Sequence, residues 1–67
     1  MLKIKEEVDL EHIGFFKEQG DTIWNDDWNL NVDMFTRRIG FPLIHDDTSF
    51  DRLYDLIQAG LVEKVEG

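Results

Sequence analysis

Cysteine is absent from this 67-residue chain, and its absence limits the ways in which so short a chain can be stabilised. No disulfide can form, and His12 and His45 alone are too few for a structural zinc site. A chain of about 60 residues buries only about 60% of the surface that its unfolded form exposes. We therefore expect stability to come from an aromatic core or from self-association, for which a homodimer is the simplest form.

Aromatic residues are the largest apolar groups available for that core, and each can bury roughly 150–250 Å². The chain has five phenylalanines, two tryptophans and one tyrosine, namely Phe15, Phe16, Trp24, Trp28, Phe35, Phe41, Phe50 and Tyr54. This is more aromatic surface than one helix on a short sheet must cover. The excess predicts an apolar interface with a partner or with a second copy.

Both ends of the chain have patterns typical of regular structure. Apolar and charged residues alternate over residues 2–5, which predicts a short strand, and residues 62–65 predict a closing strand. Residues 9–13 have the cap and spacing of a short helical turn. Before the closing strand, apolar residues at helical spacing predict a helix over about residues 49–59, with Asp55 on its solvent side.

The middle of the chain has the alternation of a strand. Apolar residues occupy positions 28, 30, 32 and 34 and polar residues lie between them, which predicts a strand from Trp28 with one wet face. Turn residues around 17–21 predict a hairpin that begins at Phe15-Phe16. The sequence therefore predicts a single α+β domain over residues 1–67, with three to five mostly antiparallel strands covered by one C-terminal helix.

Two stretches resemble a known group of proteins. Residues 53–65 (LYDLIQAGLVEKV), residues 3–10 (KIKEEVDL) and the pair Gly14-Phe15 resemble short, mostly uncharacterised proteins of phages and prophages in low-GC Gram-positive bacteria. The resemblance covers the ends of the chain better than its middle and includes no catalytic motif. It implies a phage-type accessory protein without a defined activity.

The net charge of −8 limits the partners that the chain can attract. Acidic surface repels nucleic acid phosphates and anionic lipids, so we expect no direct binding to nucleic acid and none to membranes. The lack of cysteine and of a targeting segment favours the cytoplasm. A protein is the remaining class of partner.

Candidate chemistry is sparse. Asp27, Asn29, Asn31 and Asp33 imitate the alternate ligands of an EF-hand loop, but Val32 stands where that loop needs glycine and Arg38 where it needs glutamate. Ser49 lacks the motif of a catalytic nucleophile and precedes a helical stripe, as a capping residue does. We therefore expect no enzyme, no metal and no cofactor.

Three functions fit these observations. The first is a non-catalytic protein-interaction module, with contacts assigned to Trp24, Trp28, Asp26, Asp27, Asp46 and Asp47. The second is an inhibitor that mimics DNA, whose carboxylates replace phosphates at Asp26, Asp27, Asp33, Asp46, Asp47 and Asp51. The third is a winged-helix-like regulator, because residues 54–65 have the form of a helix-to-wing junction. Charge weighs against the third function, since Asp51 and Asp55 lie on the predicted recognition helix.

Overall fold

The computed structural model describes residues 1–66 and contains a three-stranded antiparallel sheet together with helices. The elements are β1 (Leu2–Ile4), α1 (Leu10–Ile13), a 3₁₀ turn (Lys17–Gln19), β2 (Ile23–Trp24), α2 (Trp28–Ile39), α3 (Ser49–Gln58) and β3 (Val62–Lys64). The predicted small α+β class is confirmed, as are α1, α3 and the two terminal strands.

The sheet has the order β2-β1-β3, so the strand nearest the start of the chain lies in its centre. Leu2 pairs with Trp24 on one side and with Lys64 on the other. Leu2 and Ile4 are buried while Lys3 between them is not, because successive side chains of a strand point to opposite faces. The apolar face of the sheet therefore meets the helices.

The prediction of a strand from Trp28 is wrong, because residues 28–39 form the helix α2. The same apolar residues also satisfy a helical period. Val32 and Phe35 are 0% exposed, whereas Leu30 is 69% exposed, as a helix requires and an alternating strand would not allow. Asn31, a poor strand former, is buried and donates from Nδ2 to the Asp27 carbonyl oxygen at 3.1 Å.

The predicted hairpin at residues 15–25 is also wrong. Gly14 ends α1 with a φ of 85°, in the left-handed region, and the chain then turns so that Phe15 enters the core. Residues 23–24 pair with β1, and the Ile4 N–H donates to the Thr22 carbonyl oxygen at 2.9 Å. The prediction of one covering helix is also corrected. A second long helix, α2, packs against α3 and brings Phe35 against Trp24 of β2.

The core is centred on Phe35 of α2. Its ring meets Phe15 edge-on with 4.9 Å between ring centroids, and it meets Trp24 at 5.6 Å. Leu56 of α3 and Val62 of β3 are 0% exposed in the same cluster. Aromatic packing of this kind contributes about 0.5–1.5 kcal/mol per pair beyond the burial of area, which matters in so small a domain. Over residues 1–66 no helix has both the length and the apolar character needed to cross a membrane.

Candidate interaction surface

The N-terminal ends of α2 and α3 lie against each other. Trp28 is the first residue of α2 and Phe50 is the second of α3, and their rings meet edge-on with 5.0 Å between centroids. Next to this contact, the Ser49 hydroxyl donates to both carboxylate oxygens of Asp33, at 3.0 and 3.1 Å. An aromatic contact and a polar contact therefore both join the two helices here.

Thr48 determines where α3 begins. Its side-chain oxygen accepts a hydrogen bond from the Asp51 N–H at 3.2 Å, which satisfies one of the free donors of the first turn. This start places Phe50 in the first turn, at the side of the helix and outside its buried face. As a result Phe50 is 72% exposed, although the same helix buries Leu53 and Leu56.

An open groove runs between this aromatic pair and the end of β3. We call it the aromatic groove, and it is lined by Met1, Leu2, Trp28, Phe50, Leu53, Lys64, Val65 and Glu66. Its lining is mainly apolar, and Lys64 and Glu66 are the charged side chains in it. Exposed apolar surface rimmed by polar groups is typical of a protein-binding site, and tryptophan is enriched among the residues that dominate binding energy.

Acidic residues lie around the same helix ends. Asp26 and Asp27 directly precede Trp28, and Asp46 and Asp47 precede the cap of α3. Asp46, however, pairs with Arg52 and lines a separate pocket with Arg37 and Gly40, which lie toward the other end of α2. Of the predicted contact residues, Trp28 lines the aromatic groove, and Asp27 and Asp47 directly precede Trp28 and Thr48 in the chain.

Trp24 is placed in the core and not on the surface. It is 0% exposed, and its indole N–H donates to the Asp21 carbonyl oxygen at 2.9 Å. Its assignment as a contact residue is therefore corrected, because a partner cannot reach a fully buried ring. Its fixed position instead supports the sheet on which the helices pack.

Arg52 neutralises two of the acids that the sequence assigned to DNA mimicry. Its Nε lies 2.6 Å from Oδ1 of Asp46, and its Nη1 lies 2.7 Å from Oδ1 of Asp33. The hydrogen bonds to Asp46 and Asp33 raise the pKa of Arg52 above its usual value. The arginine therefore links α3 to α2 and to the preceding loop, and these two carboxylates are not free anions.

A second polar cluster, which the sequence reasoning missed, holds the loop between α2 and α3. The Asp55 side chain is only 5% exposed, and its Oδ2 accepts from the N–H groups of Ile44 and His45, both at 2.8 Å. Its Oδ1 lies 2.8 Å from Nδ1 of His45. The prediction that Asp55 faces solvent is wrong, because the loop that covers it is distant in sequence and helical periodicity gives no sign of it.

The charges of this cluster support each other. Hydrogen bonds from the His45 ring and backbone lower the pKa of Asp55, and the hydrogen bond to Asp55 raises the pKa of His45. The Asp55 carboxylate orients the His45 imidazole in the way that an aspartate orients a catalytic histidine. The hydroxyl of Ser49, however, is engaged with Asp33 on another side of α3. The Asp55–His45 pair therefore fixes the loop between α2 and α3.

The aspartates of the two acidic turns are the candidate metal ligands of the chain. Within residues 1–66 no group of three or more histidine, cysteine, aspartate or glutamate side chains is arranged to hold a metal ion. Asp27 is the N-cap of α2 and Asn31 lies about one helical turn after it, so the residues that imitate EF-hand ligands belong to a helix start and not to a loop.

Comparison with known proteins yields no match. No protein-family model matches the chain, and neither the curated proteins nor the solved structures include a significant match to it.

Proposed function

We propose that this chain is a non-catalytic protein-interaction domain that binds its partner through the aromatic groove. The observation that carries the proposal is the exposure of Phe50, which is 72% exposed while it contacts the half-buried Trp28. Full burial of a phenylalanine contributes about 1.5–3 kcal/mol, so a partner that covers Phe50 gains a large part of this free energy.

The wider setting of the proposal follows from the sequence. The resemblance of the chain ends to phage and prophage proteins supports an accessory role in a bacterial cytoplasm, without an activity of its own. The DNA-mimic alternative is less well supported, since Arg52 already pairs with Asp33 and Asp46. The winged-helix alternative lacks basic contacts, because this arginine is the single cation of α3.

A comparison of two phenylalanine variants tests the proposal. Phe50→Ser removes the exposed ring from the aromatic groove, and Phe16→Ser removes a ring that is 50% exposed on a different part of the surface. Tagged wild type and both variants are used to capture proteins from a lysate of a low-GC Gram-positive bacterium, and the captured proteins are identified by mass spectrometry.

We expect one partner to be retained by wild type and by Phe16→Ser, and to be reduced about tenfold or more by Phe50→Ser, since about 1.4 kcal/mol corresponds to tenfold. Equal retention by both variants would contradict the proposal. So would a partner that is released by salt alone and is insensitive to Phe50, which is the behaviour of a DNA mimic.

A further inference from the structure

We propose that the connecting loop between α2 and α3, residues 41–47, opens locally and that protonation of His45 holds it closed. These residues do not line the aromatic groove, so the device is independent of the proposed function. Opening of the loop is separate from unfolding of the core, because the loop is attached to the rest of the molecule mainly through two side chains of α3.

The connecting loop has little backbone support of its own. The Phe41 N–H donates to the Thr36 carbonyl oxygen at 3.0 Å, where α2 ends. Over residues 1–66, however, no backbone–backbone hydrogen bond involves residues 42–47, and these residues belong to no helix or strand. Residues 42 and 44–47 are also exposed. A segment of this kind opens at a lower free energy than the core.

Two side chains of α3, about one turn apart, attach the connecting loop. Asp55 accepts from the N–H groups of Ile44 and His45, both at 2.8 Å, and Arg52 places its Nε 2.6 Å from Oδ1 of Asp46. The Asp55 side chain is 5% exposed, whereas that of Asp46 is 61% exposed. The attachment at Asp55 is therefore shielded from solvent, and the attachment at Arg52 is not.

The carboxylate at the shielded attachment has a counter-charge that titrates. Within residues 1–66 the cationic group paired with Asp55 is the His45 imidazole, whose Nδ1 lies 2.8 Å from Oδ1 of the carboxylate. Hydrogen bonds from the His45 ring and backbone lower the pKa of Asp55, so this carboxylate stays ionised when His45 loses its proton. A mostly buried anion is then left without its counter-charge, which weakens the closed loop.

The groups around His45 all favour its charged form. The hydrogen bond to Asp55 raises its pKa most, and the charges of Asp51 on α3 and Asp47 in the loop raise it further against the effect of burial. The Tyr54 ring meets the imidazole edge-on, with 5.8 Å between centroids. Because the pKa is raised in the closed state, the stabilisation is present below about pH 6.5 and is lost as pH rises through the closed-state pKa.

Opening of the connecting loop changes two clefts. One cleft, of about 270 Å³, lies between the loop and α3, and Ile44 and His45 form part of its wall. The other has Leu43 and Asp46 in its wall, opposite Arg37 of α2. Because the loop supplies a wall of each cleft, the charge of His45 sets how often both are present.

Amide hydrogen exchange of the full chain, followed by NMR, tests the proposal. The N–H groups of Ile44 and His45 are protected while Asp55 holds them, so their protection factors report opening of the loop. The Asp51 N–H is the control, because the Thr48 hydroxyl that holds it does not titrate. Protection factors, which correct for base catalysis of exchange, are compared at about pH 5.5 and about pH 8.

We expect protection of the Ile44 and His45 amides to fall about threefold or more between these pH values, with little change at Asp51. His45→Gln replaces an exposed side chain and should abolish the fall at Ile44, whereas His12→Gln, which changes the other histidine, should retain it. Arg52→Gln should lower protection by about the same factor at both pH values, because a guanidinium keeps its charge throughout this range.

Three outcomes would overturn the proposal. The first is a fall with pH that persists in His45→Gln, and the second is an equal fall at the Asp51 amide. The third is protection of the loop amides equal to that of Leu56 in the core, because the loop would then open only by global unfolding. None of these outcomes bears on the aromatic groove, which Phe50→Ser tests separately.

Discussion

Truncation of Val32, compared with truncation of Leu30, tests the arrangement of the helix that carries the aromatic groove. Both residues lie on the same face of the strand that the sequence pattern predicts. In α2 they differ completely, since Val32 is 0% exposed and Leu30 is 69% exposed. The relative stability of Val32→Ala and Leu30→Ala therefore distinguishes a helix from a strand over residues 28–34.

The expected magnitudes follow from these exposures. Val32→Ala removes roughly two buried methyl equivalents at about 0.8 kcal/mol each and leaves a small cavity, so it should cost about 1.5–2.5 kcal/mol. Leu30→Ala changes an exposed side chain and gains helix propensity, so its effect should stay within about 0.5 kcal/mol. A domain of this size has a total stability of about 3–10 kcal/mol, so the loss at Val32 is easily measured.

Urea and thermal unfolding followed by circular dichroism measure both variants. For a domain of this size about 1 kcal/mol shifts the Tm by about 4–8 °C, so Val32→Ala should lower it by about 6–20 °C while Leu30→Ala leaves it nearly unchanged. Comparable losses at the two positions would refute the helical assignment of residues 28–39 and, with it, the contact between Trp28 and Phe50.

Three further predictions concern the polar clusters and the groove. Because its pKa is raised, protonated His45 stabilises the fold below about pH 6.5, and this stabilisation is lost as pH rises through the folded pKa. Because its pKa is lowered, ionised Asp55 stabilises the fold above about pH 4, and this stabilisation is lost as pH falls through the folded pKa. The urea concentration at the unfolding midpoint should therefore decrease above neutral pH, and Asp55→Asn should flatten this pH dependence. An unchanged slope in the variant would contradict the role of the Asp55–His45 pair. Arg52→Gln should lower the Tm more at low salt than at high salt, because salt screens partly exposed ion pairs, and a salt-independent loss would count against the pairing. Phe50→Ser should cost less than about 1 kcal/mol in urea unfolding, since the ring is mostly exposed; a larger loss would mean that Phe50 supports the fold.

Local patterns predicted the parts of the fold that local patterns determine. The cap at Asp9, whose carboxylate accepts from the His12 N–H, and the apolar stripe of α3 each lie within a few residues of chain. The alternation at the start of the chain likewise gave β1. In each case the apolar spacing agreed with one period only, so the sequence left little choice.

The failures in the middle of the chain arose where two periods fit the same residues. Positions 28 and 32 belong both to a strand face and to a helix face, and the choice depends on Phe35 and on the core that receives it. The hairpin failed for a related reason, because β1 is a better partner for β2 than the chain at Phe15. Tertiary packing decided both cases, and a short stretch of sequence does not determine that packing.

The sequence indicates the aromatic groove only in part, because tertiary packing also decides which rings are exposed. Acidic pairs at turns and an excess of aromatic rings are visible in sequence, and they led to Trp28 and its neighbours. The spacing of three between Phe50 and Leu53 is typical of a buried helical stripe, yet Phe50 is 72% exposed. Only the start of the helix at Thr48 and the place of Trp28 show that this ring lies at the border of the buried face.

The exposed ring of Phe50 is not needed to complete the core. A small domain with Phe15, Trp24 and Phe35 fully buried has already filled its core, and the core cluster is complete without Phe50. A polar residue in the first turn of α3 would serve the helix equally well and would avoid exposed apolar surface. Most of the ring is therefore available to a partner, as the proposed function requires.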